Sequence, residues 1–402
     1  MRDAACSTVV RLRPFAFLPN EILIHIFARA HPHDIVSILC TCKRFHSAGV
    51  LFIKGILARS LTQHQLDEAL LKQFPALGNI PDEAVRAISH LCNAGANVNH
   101  KGIYGRTPLQ YAAKKGDENC LAILLKANAD VNLATTFYGQ TPLFAAAYHG
   151  YEKCVGMLIE ANADVNLATT DDGETPLFKA ASMGREKCVA MLIEANADVN
   201  LARTDNGQTP LYAAACNGYE KCVATLLKAN ADVNLANVDG WTPLYTAAYD
   251  GHEKCVAMLI EANADVNLAT TDDGWAPLSA AASEGHEKCV AMLIEANADV
   301  NLARTDVGRT PLYAAAYNGH EKCVAMLIKA NADVNLTKAD NGQTPLLAAA
   351  YNGREKCVTM LIEANADVNF AETDDGWTPL SAAAYNGHEK CVGMLIKART
   401  QM

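Results

Sequence analysis

The chain has 402 residues, half of them apolar, with 34 Lys and Arg against 44 Asp and Glu. A net charge of −10 disfavours a reader of nucleic acid, which needs clustered cations to release counterions. No uncharged apolar run approaches the ~20 residues of a membrane span, and Met1 to Phe17 lacks the long apolar stretch and small-residue cleavage site of a secretory signal.

Taken in chain order, the first patterned segment is residues 18–46. Pro19 opens a helix in which Leu18, Ile22 and Ile26 form one row and Leu23 with Phe27 the next. Pro32 breaks it, Asp34 caps a second helix bearing Ile35, Ile38, Leu39 and Cys42, and a third helix runs through Phe45 to about Leu57. The succession Leu18, Pro19, Glu21, Ile22, Leu23, then Asp34, then Cys42, Lys43 and Phe45 resembles an F-box, with Ala30 in place of the usual leucine and no closing tryptophan. The resemblance implies a three-helix F-box-like domain over residues 15–58 that docks the Skp-type adaptor of a cullin-based ubiquitin ligase. It also implies Leu18, Pro19, Ile22, Leu23, Ile26, Ile35, Leu39 and Phe45 as the adaptor-binding side chains. Independently, a trio of about 40 residues is too small to bury much by itself. Either a partner completes its core, or the trio caps the segment that follows. His31, His33, Cys40, Cys42 and His46 offer metal-ligand chemistry. Their spacing fits no common finger and the aliphatic row between them reads as helix core, so no metal or cofactor is expected.

Residues 60–102 come next. Leu66 to Phe74 and Ala84 to Cys92 read as two helices ending in Ala94-Gly95-Ala96-Asn97-Val98-Asn99, a degenerate repeat able to close one end of an array.

Beyond it a Pro-Leu pair recurs at Pro108, Pro142, Pro176, Pro210, Pro243, Pro277, Pro311, Pro345 and Pro379, a period of 34 residues and once 33. A fixed period of this length signals a copied and stacked supersecondary unit. In residues 238–267, Thr242 is placed to cap a helix with Pro243 at its first position and Leu244, Ala247 and Ala248 on an apolar face, running to about Tyr249. Gly251 ends it, and from Glu253 a second helix buries Cys255, Val256, Leu259 and Ile260. Asn263 marks a left-handed helix end, and Asp265 to Gly274 form a hairpin-like finger.

These residues are similar to the ankyrin-repeat family, matching its G-x-TPL-x-x-AA-x-x-G-H head and its AD-VN ending. The implied fold is an all-α ankyrin-repeat solenoid of helix pairs with hairpin fingers, nine copies over residues 103–402. Two departures recur. The family's histidine after TPL is Gln110, Phe144, Phe178, Tyr212, Tyr245, Ser279, Tyr313, Leu347 or Ser381, which removes a polar tie, and its helix-ending glycine is asparagine except at Gly95. Residues 379–398 read as an ordinary internal copy, leaving Val392, Leu395 and Ile396 without a following neighbour.

Nine of the 14 cysteines share one repeat position and are expected to be free core thiols, since stacked helices ~8–10 Å apart hold equivalent residues beyond disulfide reach. This points to a reducing compartment, the cytoplasm first, with the nucleus or a host cell's cytosol left open. The carboxylate pairs Asp171-Asp172, Asp272-Asp273 and Asp374-Asp375 fall in solvated fingers with no nucleophile–base arrangement or phosphate loop beside them, so no catalytic residue is expected.

Positions that differ between copies are where binding can be tuned without harm to the core. Trp241, Trp275 and Trp377 share one of these, and Tyr148, Tyr249, Tyr317, Tyr351 and Tyr385 another. Both residue types are favoured at interface hot spots, so these eight are expected to grip a protein client on a concave face. The bland alternative is that each ring packs on the next finger. Leu158 to Asn166 is similar to ankyrin sites of asparaginyl hydroxylases, beside the simpler role of the asparagine in bracing its finger through local backbone. The combined expectation is a non-enzymatic substrate receptor of a ubiquitin ligase, with a plain ankyrin scaffold as the other reading.

Overall fold

The computed structural model describes residues 62–74, 80–338 and 341–401, which fall into two compact units, one up to Thr170 and one from Asp171. Among the described residues every α-helix or 3-10 turn is joined by turns and loops, with no strand. The first unit holds α1 (Gln63–Leu71), α2 (Asp82–Ala94), α3 (Pro108–Lys115), α4 (Glu118–Lys126), α5 (Pro142–His149) and α6 (Glu152–Glu160). The second holds α7 (Pro176–Ser182), α8 (Glu186–Glu194), α9 (Pro210–Cys216), α10 (Glu220–Lys228), α11 (Pro243–Tyr249), α12 (Glu253–Glu261) and α13 (Pro277–Glu284). It continues with α14 (Glu287–Glu295), α15 (Pro311–Asn318), α16 (Glu321–Lys329), α17 (Pro345–Tyr351), α18 (Glu355–Glu363), α19 (Pro379–Tyr385) and α20 (Glu389–Gln401). Within each unit the first helix of a copy packs on the first helix of the next, and second helices pack on second helices.

The start of each first helix is set by the threonine before Pro-Leu. Thr242, in extended backbone, accepts a hydrogen bond from Tyr245 N at 3.0 Å, and Pro243 occupies a position where no intrahelical donor is needed. Ala276 is the exception, and α13 has no side-chain cap. Its Ser279 hydroxyl, in the place of the family's histidine, is buried with no hydrogen-bond partner among the described residues.

Burial exceeds the sequence expectation on the first helix and falls short on the second. Tyr245 and Thr246 are buried along with Leu244, Ala247 and Ala248, so α11 is enclosed nearly all round. On α12, Cys255, Val256 and Leu259 are buried but Ile260 is half-buried, because the fourth member of the stripe reaches the rim of the packed surface. Each fully buried Leu contributes roughly 1.5–3 kcal/mol, and these copies place two, such as Leu244 and Leu259, at 0% exposure.

Helix ends follow the reading of asparagine as a left-handed terminator. Asn263 has φ 62°, and seven equivalent asparagines lie between 59° and 65°. Gly95 plays this part after α2 with φ 96°. The last copy departs from the expectation of asparagine in every copy after Gly95: Arg399 stands there, no left-handed terminator follows among the described residues, and α20 runs on to Gln401. Of the three residues expected to lack a following neighbour there, Leu395 is buried, Val392 half-buried and Ile396 exposed. The α1 and α2 helices begin earlier than their apolar spacing suggested. A Thr62 capping box starts α1 at Gln63, and acidic residues Asp82 and Glu83 follow Pro81 in the first turn of α2.

Copies are fastened by three recurring polar contacts. Asp265 N donates to Asn234 Oδ1 at 2.8 Å, while Asn267 N donates to Asp265 Oδ1 at 2.9 Å. The asparagine therefore braces the following copy, not its own finger as local hydrogen bonding would have it. At the finger tips a backbone amide bonds the carbonyl of the preceding finger, as in Thr271 N to Asp239 O at 3.0 Å. On the second helices Lys254 Nζ reaches Glu220 Oε2 at 2.9 Å and Lys288 reaches Glu253 at 2.8 Å; such exposed pairs are each worth little.

Candidate protein-binding site

The side chains that vary from copy to copy stand on two surfaces, the outer end of the first helix and the finger tips. In the second unit the tryptophan before Pro-Leu and the tyrosine at the helix end lie along one side of α11 and α19. Trp241 meets Tyr245 at 5.1 Å between ring centres, and Tyr245 stacks on Tyr249 at 6.3 Å. Trp377 meets Tyr385 edge-on at 4.9 Å. Spacings of four and eight residues place such rings over successive turns of one helix face.

The outer member of each row is the accessible one. Tyr385 is 76% exposed, Tyr249, Tyr317 and Tyr351 are exposed to lesser degrees, and the tryptophans and Tyr148 are half-buried. Trp275 is covered by the next finger, with the Arg304 guanidinium 4.5 Å from its ring centre. Arg304 is itself held by Asp273 at 3.0 Å and Asp306 at 2.6 Å. Tyr317 packs with Tyr313 at 6.3 Å and lies 5.7 Å from the Arg309 guanidinium, and Tyr148 meets His149 at 4.5 Å. The structure thus brings Trp241 with Tyr249 and Trp377 with Tyr385, and gives Trp275 a cationic cover.

Sequence reasoning missed the first unit's finger tips. Ile103, Tyr104, Phe137 and Tyr138 are each more than half exposed, and Tyr104 meets Phe137 edge-on at 6.3 Å. The signal was present, because Ile-Tyr-Gly and Phe-Tyr-Gly stand where the other copies write Asp-Asp-Gly, Asp-Asn-Gly, Val-Asp-Gly or Asp-Val-Gly, each with at least one aspartate. The lost family histidine is also partly compensated. Gln110 Nε2 donates to Leu133 O at 2.7 Å and Gln140 O at 2.8 Å, and Tyr313 hydroxyl donates to Gln343 Oε1 at 2.9 Å. Tyrosine and glutamine restore a polar tie that aliphatic stacking alone would not supply.

The repeat cysteines are buried free thiols. Burial, and after it Glu220, pushes the Cys255 thiol up to about 11; burial with Glu287 does the same at Cys323. A thiol held protonated at neutral pH is a poor nucleophile. Asp172 and Asp273, the second members of two carboxylate pairs, serve as partners of Arg203 and Arg304. At the other end His64, Glu68 and His100 bring potential ligand atoms within 4.8 Å of one another. Within this group His100 Nε2 lies 3.4 Å from Glu68 Oε1, and the His64 and His100 rings meet edge-on at 6.1 Å. The adaptor-binding set Leu18, Pro19, Ile22, Leu23, Ile26, Ile35, Leu39 and Phe45, and the His and Cys residues at 31–46, lie outside the described residues.

Comparison with known proteins agrees with this architecture. The family model for ankyrin repeats matches in successive overlapping segments from residue 76 to residue 402, and the F-box-like model matches residues 15–50. An ankyrin repeat protein of fowlpox virus (strain NVSL) is 28% identical over 82 residues, 20% of this chain and 12% of the viral protein. The chain therefore spans a small part of that relative's length. Both matched families are protein-interaction modules and not catalytic ones, and no helix among the described residues is long and apolar enough to cross a membrane. Helix pairs, left-handed asparagine ends and inter-finger hydrogen bonds, repeated across almost all the described length, make this chain a member of the ankyrin-repeat family carrying an F-box-like segment at residues 15–50.

Proposed function

We propose that this chain is the substrate-recognition subunit of a Skp-cullin-F-box type ubiquitin ligase, acting without a catalytic residue of its own. Residues 15–58 form the adaptor-docking domain, residues 60–102 the capping repeat and residues 103–402 the nine ankyrin copies. The observation that carries this reading is the pairing of an F-box-like match at residues 15–50 with a long recognition array in one chain. The adaptor is gripped by Leu18, Pro19, Ile22, Leu23, Ile26, Ile35, Leu39 and Phe45. The client is gripped by aromatic rings of the array, of which Tyr249, Tyr317, Tyr351 and Tyr385 are exposed. Tethering raises the client's effective concentration at the ligase, so transfer is accelerated by proximity alone. Free buried thiols suit a reducing compartment such as the cytoplasm.

Affinity capture of a Skp-type adaptor by the full chain is the expected result, lost with Leu23→Asp and with removal of residues 1–58. Absence of adaptor binding at micromolar concentration would refute the ligase role and leave a plain ankyrin scaffold.

A further inference from the structure

The reading above leaves the chemistry of the client open, and the first unit narrows it. A cleft of ≈ 720 Å³ lies between the end of α1, the finger at residues 101–106 and the end of α3. Its apolar wall includes Leu71, Phe74, Tyr104 and Tyr111, with Phe74 and Tyr111 stacked at 5.6 Å. Its rim carries Lys72, Lys101, Arg106, Lys114 and Lys115 against the single carboxylate of Glu68. A second hollow of ≈ 390 Å³, walled by Tyr104, Arg106, Phe137 and Tyr138, continues it across the next finger.

In a chain where Asp and Glu outnumber Lys and Arg 44 to 34, this is a local reversal of sign. Lys101 Nζ donates to the Ala134 carbonyl at 3.0 Å and the Arg106 guanidinium lies 5.6 Å from the Tyr104 ring centre, neutral partners that leave both charges in place, while the rim's Glu68 is paired with His100 at 3.4 Å. Burial, then the charges of Arg106 and Lys115, push the Lys114 ammonium below its ordinary pKa, a strain that a bound carboxylate would relieve. Tyr104 has φ 62°, the sole described residue other than Gly and Asn in the left-handed region. That conformation costs about 1–2 kcal/mol, yet the ring it carries stays 60% exposed.

We propose that this cleft binds an acidic, extended segment of the client protein, its carboxylates on the lysine and arginine rim and its apolar side chains among Phe74, Tyr104 and Tyr111. This rests on the reading that the array recruits a protein. The chain's own front segment is a poor occupant, because residues 1–61 hold eight Lys and Arg against three Asp and Glu and share the rim's sign. A nucleic acid satisfies the rim but not the apolar wall, and its polyanionic backbone is repelled by the acidic remainder of the chain.

The test is fluorescence anisotropy with the full chain and three labelled probes: a peptide alternating Asp and Glu with Phe and Leu, its Asn and Gln counterpart, and a single-stranded oligonucleotide. The acidic peptide binds best, its affinity falls as salt rises, and Arg106→Glu weakens it about tenfold or more. Lys114→Gln, at an exposed side chain, gives a smaller loss in the same direction and guards against misfolding of the first variant. Equal affinity for the neutral peptide, tighter binding of the oligonucleotide, no binding of the acidic peptide, or indifference to both substitutions in a folded protein overturns the proposal. Adaptor capture by the same preparation depends on Leu23 and not on the cleft, so loss of that capture alone refutes the ligase role and leaves the cleft intact.

Discussion

In the first unit the finger-tip carbonyls that accept a hydrogen bond from the next finger belong to Tyr104 and Tyr138; in the second they belong to Asp172, Asn206, Asp239, Asp273 and Asn341. The backbone contact is the same, from Thr136 N and Thr170 N in one unit and from Thr204, Val238, Thr271, Thr305 and Thr373 in the other. Only the side chains differ, large and aromatic in the first unit, small and polar in the second. Because the main chain does the fastening, the tip side chain is released from structural duty and can be spent on recognition. The second unit uses part of that freedom internally, where Arg203 and Arg304 tie neighbouring acidic tips.

The widest test of this comparison targets the shared backbone. Gly105 and Gly274 both hold left-handed φ, 69° and 71°, and an added Cβ would stand 2.6 Å from the backbone nitrogen of Thr136 and of Thr305. Gly105→Ala and Gly274→Ala should each cost about 2–3 kcal/mol, through strain and crowding together. Local hydrogen exchange in the flanking copies reads the loss. A neutral Gly105→Ala would show that the aromatic fingers are built on a different plan.

A smaller effect sharpens the account within the second unit. Ala276→Thr restores the cap that α13 alone lacks among the first helices of the copies and should stabilise α13 by about 1 kcal/mol, seen as a raised denaturation midpoint. No gain would mean that burial of that turn, not its cap, sets where the helix begins. The least effect is expected at the tips themselves. Tyr138→Asp and Asp239→Tyr should each change stability by no more than about 0.5 kcal/mol in chemical denaturation. A larger loss at Tyr138 would make its ring part of the fold and unravel the contrast between the units.

Much of each copy was legible in the sequence because its signals are local. Proline and threonine fix the start of α11, Gly251 follows its end, and Asn263 takes the left-handed turn its residue type favours. What was not legible depends on partners 30 or so residues away along the chain. Spacing on a helix says that Asn267 follows Asp265 in a turn, but not that its side-chain Oδ1 accepts from Asp299 N at 2.8 Å. Nor does it say that Arg304 covers Trp275, or that Ile260 reaches the rim. Those facts need the offset between adjacent copies, which helical periodicity does not encode. For the candidate site, the tyrosines at the ends of the first helices were found by their recurrence in a fixed frame. The exposed tips at Tyr104 and Phe137 break the frame instead of keeping it, and so escaped a search for shared positions.

The copy between Pro210 and Pro243 is one residue short, and its finger shows where the missing residue is absorbed. Asn234 still receives Asp265 N and Asp239 still receives Thr271 N, so both rungs survive while the turn between them tightens around Asn237, whose side chain accepts from Asp239 N and Trp241 N. Insertions and deletions within a lineage of such chains should therefore accumulate in the stretch between the asparagine rung and the capping threonine. That stretch also carries the finger tips, which the proposed function turns toward a client, so on that reading changes in length and changes in specificity would arise in the same few residues.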